Sequence, residues 1–161
     1  MKRLLLFCLM MMPAAFLQAE PDSVARVQTE MRIDSMLQKA SSYLGVCYCR
    51  GGVNRECFDC SGFIQRVFAA YGYELPHSSA AMANQGKPVK NKKDLKPGDL
   101  IFFKGRNVKT KHVGHVGMVV QNDGISIIFI HASVNRGICF EELESSAYYK
   151  ARYLTARRII N

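Results

Sequence analysis

The pattern of apolar residues changes character once along this chain, at Lys96-Pro97-Gly98-Asp99, and that change restricts the folds open to it. Before this turn, apolar residues recur at helical spacing. Val24, Val27, Met31, Leu37, Tyr43 and Leu44 predict a helix over residues 21–45, stopped by Gly45. Phe63, Val67, Phe68 and Tyr71 predict a second helix over residues 61–71, with Asp59 to cap its start and Gly72 its end. A short third helix is expected over residues 78–85, entered through Pro76. After the turn, residues 99–104, 116–121, 125–131, 138–142 and 153–158 are short β-rich runs. Turn residues such as Asn122-Asp123-Gly124 and Asn135-Arg136-Gly137 separate them. Helices first and strands after make an α+β layout, with N-terminal helices packed on a small antiparallel sheet.

The first residues read as an address rather than as part of that domain. Lys2 and Arg3 precede an uninterrupted apolar run over residues 4–12, Pro13 breaks it, and Leu17-Gln18-Ala19 offers a signal-peptidase site. The run is shorter than the roughly 20 apolar residues of a membrane span. Residues 1–19 are therefore expected to be a signal peptide and residues 20–161 a single domain, exported to the periplasm or cell envelope. Removing the leader takes away two cations and no acid, so the net charge falls from +9 to +7. A basic surface suits an anionic polymer, and export argues against nucleic acid. No stable membrane span is expected after processing, and the domain is expected to be a monomer.

Five cysteines survive processing: Cys47, Cys49, Cys57, Cys60 and Cys139. An odd number in an exported chain leaves one thiol unpaired unless chains are cross-linked. Cys60 stands at the first turn of the second predicted helix, in Phe58-Asp59-Cys60-Ser61-Gly62. There, unpaired backbone N–H groups and the helix dipole favour thiolate over thiol, which lowers the pKa from about 8.5. The same N–H groups can bind an oxyanion, and small Ser61 and Gly62 keep the sulfur open to substrate. A structural cysteine at a helix start is the plainer alternative.

A nucleophilic thiol needs a base. His115 opens the apolar run His115-Val116-Gly117-Met118-Val119-Val120, and His131 closes Ile127-Ile128-Phe129-Ile130-His131. Two neighbouring antiparallel strands would set the end of one beside the start of the other. His131 could then bond the ring of His115 and fix its tautomer. His112 repeats the His-Val-Gly pattern but follows Lys109-Thr110-Lys111 in a basic loop, with no apolar strand directly behind it to anchor it.

Four segments in order, Asp59-Cys60-Ser61-Gly62, residues 97–103 (Pro-Gly-Asp-Leu-Ile-Phe-Phe), His115-Val116-Gly117 and Phe129-Ile130-His131-Ala132-Ser133, carry a resemblance. The chain resembles the NlpC family of bacterial cell-wall cysteine peptidases over residues 37–158. That resemblance implies a papain-like α+β fold with the nucleophile at a helix N-terminus, no cofactor, and peptidoglycan stem peptides as substrate. It implies cleavage of the bond between D-γ-glutamate and diaminopimelate. It assigns Cys60 as nucleophile, His115 as base and His131 as the orienting third residue. Tyr48, before the double glycine, would have its hydroxyl near the nucleophile and the oxyanion site. Asp59 would shape the site and bind the amine of the substrate.

The chain departs from the family pattern in a His115 to His131 spacing longer than usual, which implies an extended hairpin around Asn122-Asp123-Gly124, and at three single positions. Arg50 stands where an aromatic is usual, Cys57 replaces a small residue, and His77 occupies a position that is often Arg. Cys47, Cys49, Cys57 and Cys60 could in principle bind zinc, but a disulfide such as Cys49 to Cys57 around the glycine loop is favoured. Their pairing is not legible in sequence, and free thiols stay open. An amidase or acyl transferase on the same fold, and a non-catalytic wall-binding protein, are the alternatives to a peptidase.

Overall fold

The first helix shows at once which apolar residues are used. In the computed structural model, which describes residues 21–160, α1 runs Pro21–Ser41. Met36, Ala40 and the following Tyr43 are buried, whereas Val24, Val27, Met31 and Leu44 are exposed. The expected helix is present, but the apolar residues of its N-terminal half are not packed. Residues 22–28 are exposed throughout, because no described segment packs over that half. The predicted leader lies outside the described residues.

Two short strands, β1 (Val53–Asn54) and β2 (Cys57–Phe58), form a hairpin that leads into α2 (Cys60–Ala69). Phe63, Ile64, Val67 and Phe68 of α2 are wholly buried. At about 1.5–3 kcal/mol for each large apolar side chain, this face contributes much of the drive for docking the helix. Tyr43, Phe58 and Phe63 meet edge-to-face, with ring centroids 5.1–6.2 Å apart. The third helix, α3 (Ser79–Met82), is a single turn.

Six strands form one antiparallel sheet in the order β3-β8-β4-β5-β6-β7. They are β3 (Lys87–Val89), β4 (Leu100–Lys104), β5 (Val113–Asn122), β6 (Ile127–Ser133), β7 (Gly137–Glu142) and β8 (Tyr153–Arg158). Five match the runs read from sequence. The sixth, β3, escaped because it is three residues long and contains Pro88, which an edge strand tolerates. A six-residue helix, α4 (Ala147–Arg152), was also not anticipated.

The sheet is covered on both faces. Leu100, Phe102, Val116, Met118, Ile130 and Ala132 join α1 and α2 in one core. Their neighbours Ile101, Phe103, Val119 and Phe129 form a second core, with Tyr149 of α4 packed against it. The Pro-Gly-Asp turn has a structural role: Asp99 is buried, accepts the Lys96 N–H at 2.8 Å, and pairs with the Arg158 guanidinium at 2.7 and 2.8 Å. That pair ties the start of β4 to the end of β8.

Candidate active site

Asp59 organises the loop from which the candidate nucleophile emerges. It caps α2, with Oδ1 accepting the Gly62 N–H at 2.6 Å and the Ser61 hydroxyl at 3.0 Å. Oδ2 accepts the Gly51 N–H at 3.0 Å, and His77 Nε2 lies 2.9 and 3.0 Å from the two oxygens. Burial alone would raise the Asp59 pKa, but the bonds from Gly62, His77 and Ser61 together hold it below the usual carboxylate range. Neither Asp59 nor Ser61 is among the residues that line the cavity described below.

The glycine loop is clamped against the same turn. Asp59 N–H donates to the Gly52 carbonyl at 3.0 Å, and a Cβ on Gly62 would fall 2.0 Å from that oxygen. Only glycine lets the two backbones approach so closely. Cys49 and Cys57 are joined as a disulfide around this loop, and Cys47, Cys60 and Cys139 are free thiols. The four clustered cysteines thus do not converge as ligands, and no metal-holding cluster occurs among the described residues.

Cys60 is the first residue of α2 and is buried. The lowered thiol pKa expected from the helix start is not what the structure shows. Burial first, and the Asp59 charge second, push the thiol up to about 11, against the backbone N–H groups of Val116, Ser61 and Cys60 that favour thiolate. The helix end acts in the anticipated direction, but the cost of a buried charge next to a carboxylate is larger.

His115 lies within β5 rather than at its mouth, opposite Phe103 of β4. Its Nε2 is 3.0 Å from Nδ1 of His131, which is fully buried on β6. Gly117 permits this approach between the strands, since a Cβ there would meet Phe129 Cδ2 at 2.7 Å and His131 Cβ at 3.3 Å. Burial lowers the His115 pKa to about 4. Burial, then His115, then Arg136 lower that of His131 to about 3. Both rings are therefore neutral at pH 7. His112 is exposed in the preceding loop.

The histidines belong to the sheet face away from α2, and Cys60 approaches from the other face. All three converge at the end of the sheet. Tyr48, Cys60 and His115 line one cavity of about 420 Å³ together with Phe103, Tyr149 and Val134. Lys104, Arg106 and Arg152 also line it, and no Asp or Glu does. Burial, then Cys60 and Asp59, raise the Tyr48 pKa, so its hydroxyl keeps its proton.

Sequence reading missed several of these neighbours. The Tyr149 ring stacks on His115 with centroids 5.8 Å apart, and its hydroxyl is 3.4 Å from His131 Nδ1. Burial pushes its phenol far above the ordinary value. Arg152 lies over the Tyr148 ring, 3.6 Å from its centroid, and its Nε is buried without a partner. The only signal for α4 was Ser146, which caps it, because one and a half turns carry no readable periodicity.

Comparison with known proteins decides the lineage. The NlpC/P60 family profile matches residues 45–158. The chain belongs to the NlpC/P60 family. It is 32% identical to the murein DD-endopeptidase MepS/murein LD-carboxypeptidase of Escherichia coli strain K12, over 90% of this chain and 73% of that protein. It is 36% identical to the gamma-D-glutamyl-L-lysine dipeptidyl-peptidase of Bacillus subtilis strain 168, over 63% of this chain and 33% of that protein. An NlpC/P60 family protein from Bacillus cereus superposes with a TM-score of 0.71 at 31% identity, covering 80% of this chain and 40% of that one. The chain thus spans less than half of the solved NlpC/P60 protein. The papain-like α+β fold implied by the sequence motifs is the fold of this NlpC/P60 domain.

Proposed function

We propose that this chain is an exported peptidoglycan hydrolase, a cysteine endopeptidase that cuts amide bonds of stem peptides through a thioester on Cys60. The observation that carries the reading is the shared cavity: a thiol at a helix start, His115 and a tyrosine open onto one space, with His131 buried behind His115. His115 Nε2 is turned to His131, which leaves Nδ1 for the sulfur.

Because the thiol is pushed up and the imidazole down, the resting site is a neutral pair rather than a preformed ion pair. His115 therefore works as a general base: the Cys60 proton passes to Nδ1 as sulfur attacks the carbonyl. Backbone N–H groups of the first turn of α2 and the Tyr48 hydroxyl stabilise the oxyanion. The imidazolium protonates the departing amine as the C–N bond breaks. The imidazole so regenerated takes a proton from the water that attacks the thioester, and returns it to the Cys60 sulfur as the C–S bond breaks.

Three cations and no carboxylate around the cavity favour a substrate that carries free carboxylates, as stem peptides do. The scissile bond on this reading is D-γ-glutamyl-diaminopimelate; the Bacillus subtilis relative is named for a γ-D-glutamyl bond too, but to L-lysine. The Escherichia coli relative, named a DD-endopeptidase and LD-carboxypeptidase, supplies the second reading, a bond further along the stem. Mass spectrometry of digested muropeptides separates the two, and also an acyl transferase, whose product gains an acceptor amine instead of water. Cys60→Ala protein that solubilises purified peptidoglycan as fast as the wild type would refute the mechanism. Among the described residues no helix is long and apolar enough to cross a membrane. Export through a cleaved leader predicts a mature chain beginning at Glu20, and N-terminal sequencing that finds residue 1 would reject it.

A further inference from the structure

His131 has partners on both ring nitrogens. Nδ1 lies 3.0 Å from His115 Nε2 and 3.4 Å from the Tyr149 hydroxyl. Nε2 lies 3.7 Å from Sγ of Cys139, the residue opposite His131 on β7. We propose that Cys139 is a positioning residue: its sulfur accepts the Nε2–H of His131 and so holds His131 in the tautomer whose bare Nδ1 accepts from His115. The proposal rests on the reading of His115 as the base for Cys60.

Proton counting gives the direction. A neutral imidazole carries one N–H and one lone pair. His115 can take the Cys60 proton only if Nδ1 is bare, so its own proton sits on Nε2, facing His131. That N–H needs an acceptor, and the acceptor is Nδ1 of His131. The proton of His131 is then on Nε2, facing Cys139. The reverse arrangement, with the thiol donating to Nε2, would put the His131 proton on Nδ1. It would force the His115 proton onto its own Nδ1, where it blocks uptake from Cys60.

Two neighbours favour the first arrangement. Tyr149 is a phenol that burial keeps protonated, and its hydroxyl lies 3.4 Å from the same Nδ1, where its O–H shares, as the longer second donor, the one lone pair that accepts the His115 N–H. Arg136 acts electrostatically on both Cys139 and His131. Its positive charge favours electron density on the sulfur and opposes a second proton on the ring. Glu141 acts on the sulfur in the opposite sense, but it is also paired with Arg136. Hydrogen bonds thus run from His115 through His131 to Cys139, from β5 across β6 to β7, behind the cavity that Cys60 of α2 also lines.

The test uses the full chain with nitrogen-15 in its histidine rings, near pH 7.5, above the ordinary histidine range. Wild type is expected to show His131 and His115 both protonated on Nε2. Cys139→Ala should move the His131 signature toward Nδ1–H. It should lower kcat on peptidoglycan about fivefold, the factor that goes with one neutral hydrogen bond, and leave KM unchanged. Cys139→Ser, which keeps an acceptor, should restore both readouts. A wild-type His131 protonated on Nδ1 overturns the proposal, as does a Cys139→Ala protein with an unchanged ring signature. So does a serine variant that behaves like alanine. If Cys139→Ala does not fold, the wild-type spectrum still decides. A chain that hydrolyses no peptidoglycan would overturn the hydrolase reading alone, since the ring signature is read without turnover.

Discussion

Lowering the pH from 7.5 to 5 should weaken this fold by about 4 kcal/mol, through His115 and His131. His115 and His131 have an ordinary value of 6.5, which burial lowers to about 4 and about 3 in the folded chain. In the unfolded chain both rings take up protons as the pH drops through the ordinary value, whereas the folded chain refuses them. Stability is therefore full above that value and is lost on going down, through the window that ends near the folded pKa values. At pH 5 each ring contributes a loss of about 2 kcal/mol, from the ratio of the two binding polynomials. Against a total stability of about 5–15 kcal/mol this is a large fraction. Urea titrations at a series of pH values, followed by circular dichroism, measure it directly. His131→Gln, which has no proton to take up, should remove about half of the slope. Equal stability at the two pH values, or an unchanged slope in His131→Gln, would refute the claim that both rings are held neutral by burial.

Other outcomes follow from the loop around Cys60. Asp59→Ala should cost about 3 kcal/mol at neutral pH: about 1 for the helix cap and about 2 for the remaining charge-assisted bonds. Because the fold lowers the Asp59 pKa, that contribution is present above the ordinary carboxylate value and disappears as pH falls through the folded one. Urea titrations of the variant at neutral pH and near pH 3 check both the size and the direction. Replacing Cys49 and Cys57 together by serine opens a loop closed by a bond of sequence separation 8. It should cost about 2.5 kcal/mol on the chain-entropy account, read as a lower melting temperature that reducing agent does not lower further. Alkylation of Cys60 by iodoacetamide, followed by mass spectrometry, should rise only in the alkaline range, since its thiol is pushed up to about 11. Half-maximal labelling near neutral pH would show that the resting site holds a thiolate.

Much of the fold was legible because its signals are local. The amphipathic face of α2, its Asp59 cap and the five β-rich runs each depend on residues within a few positions of one another, and all are present. The pairing of His115 with His131 was legible for a related reason: an antiparallel hairpin sets the start of one strand beside the end of the next. Elements with weak local signals were lost. α4 is too short for a period to show, and β3 is too short and contains a proline. At the start of α1 the apolar residues keep helical spacing yet stay exposed, because spacing reports amphipathicity, whereas burial requires something to lie against.

The residue types at the candidate site, their order and the α+β layout are determined by the sequence alone, since motif spacing and periodicity are properties of the chain. Its electrostatics are not. A helix N-terminus predicts a low thiol pKa, yet the depth at which the sheet and α2 enclose Cys60, and the carboxylate held beside it, reverse the sign. The same is true of the cations around the cavity and of Cys139 against His131. These neighbours are brought together by strand register and by the docking of α4, so they come from distant parts of the chain. Charge interactions depend on distance and burial, and only tertiary structure supplies either.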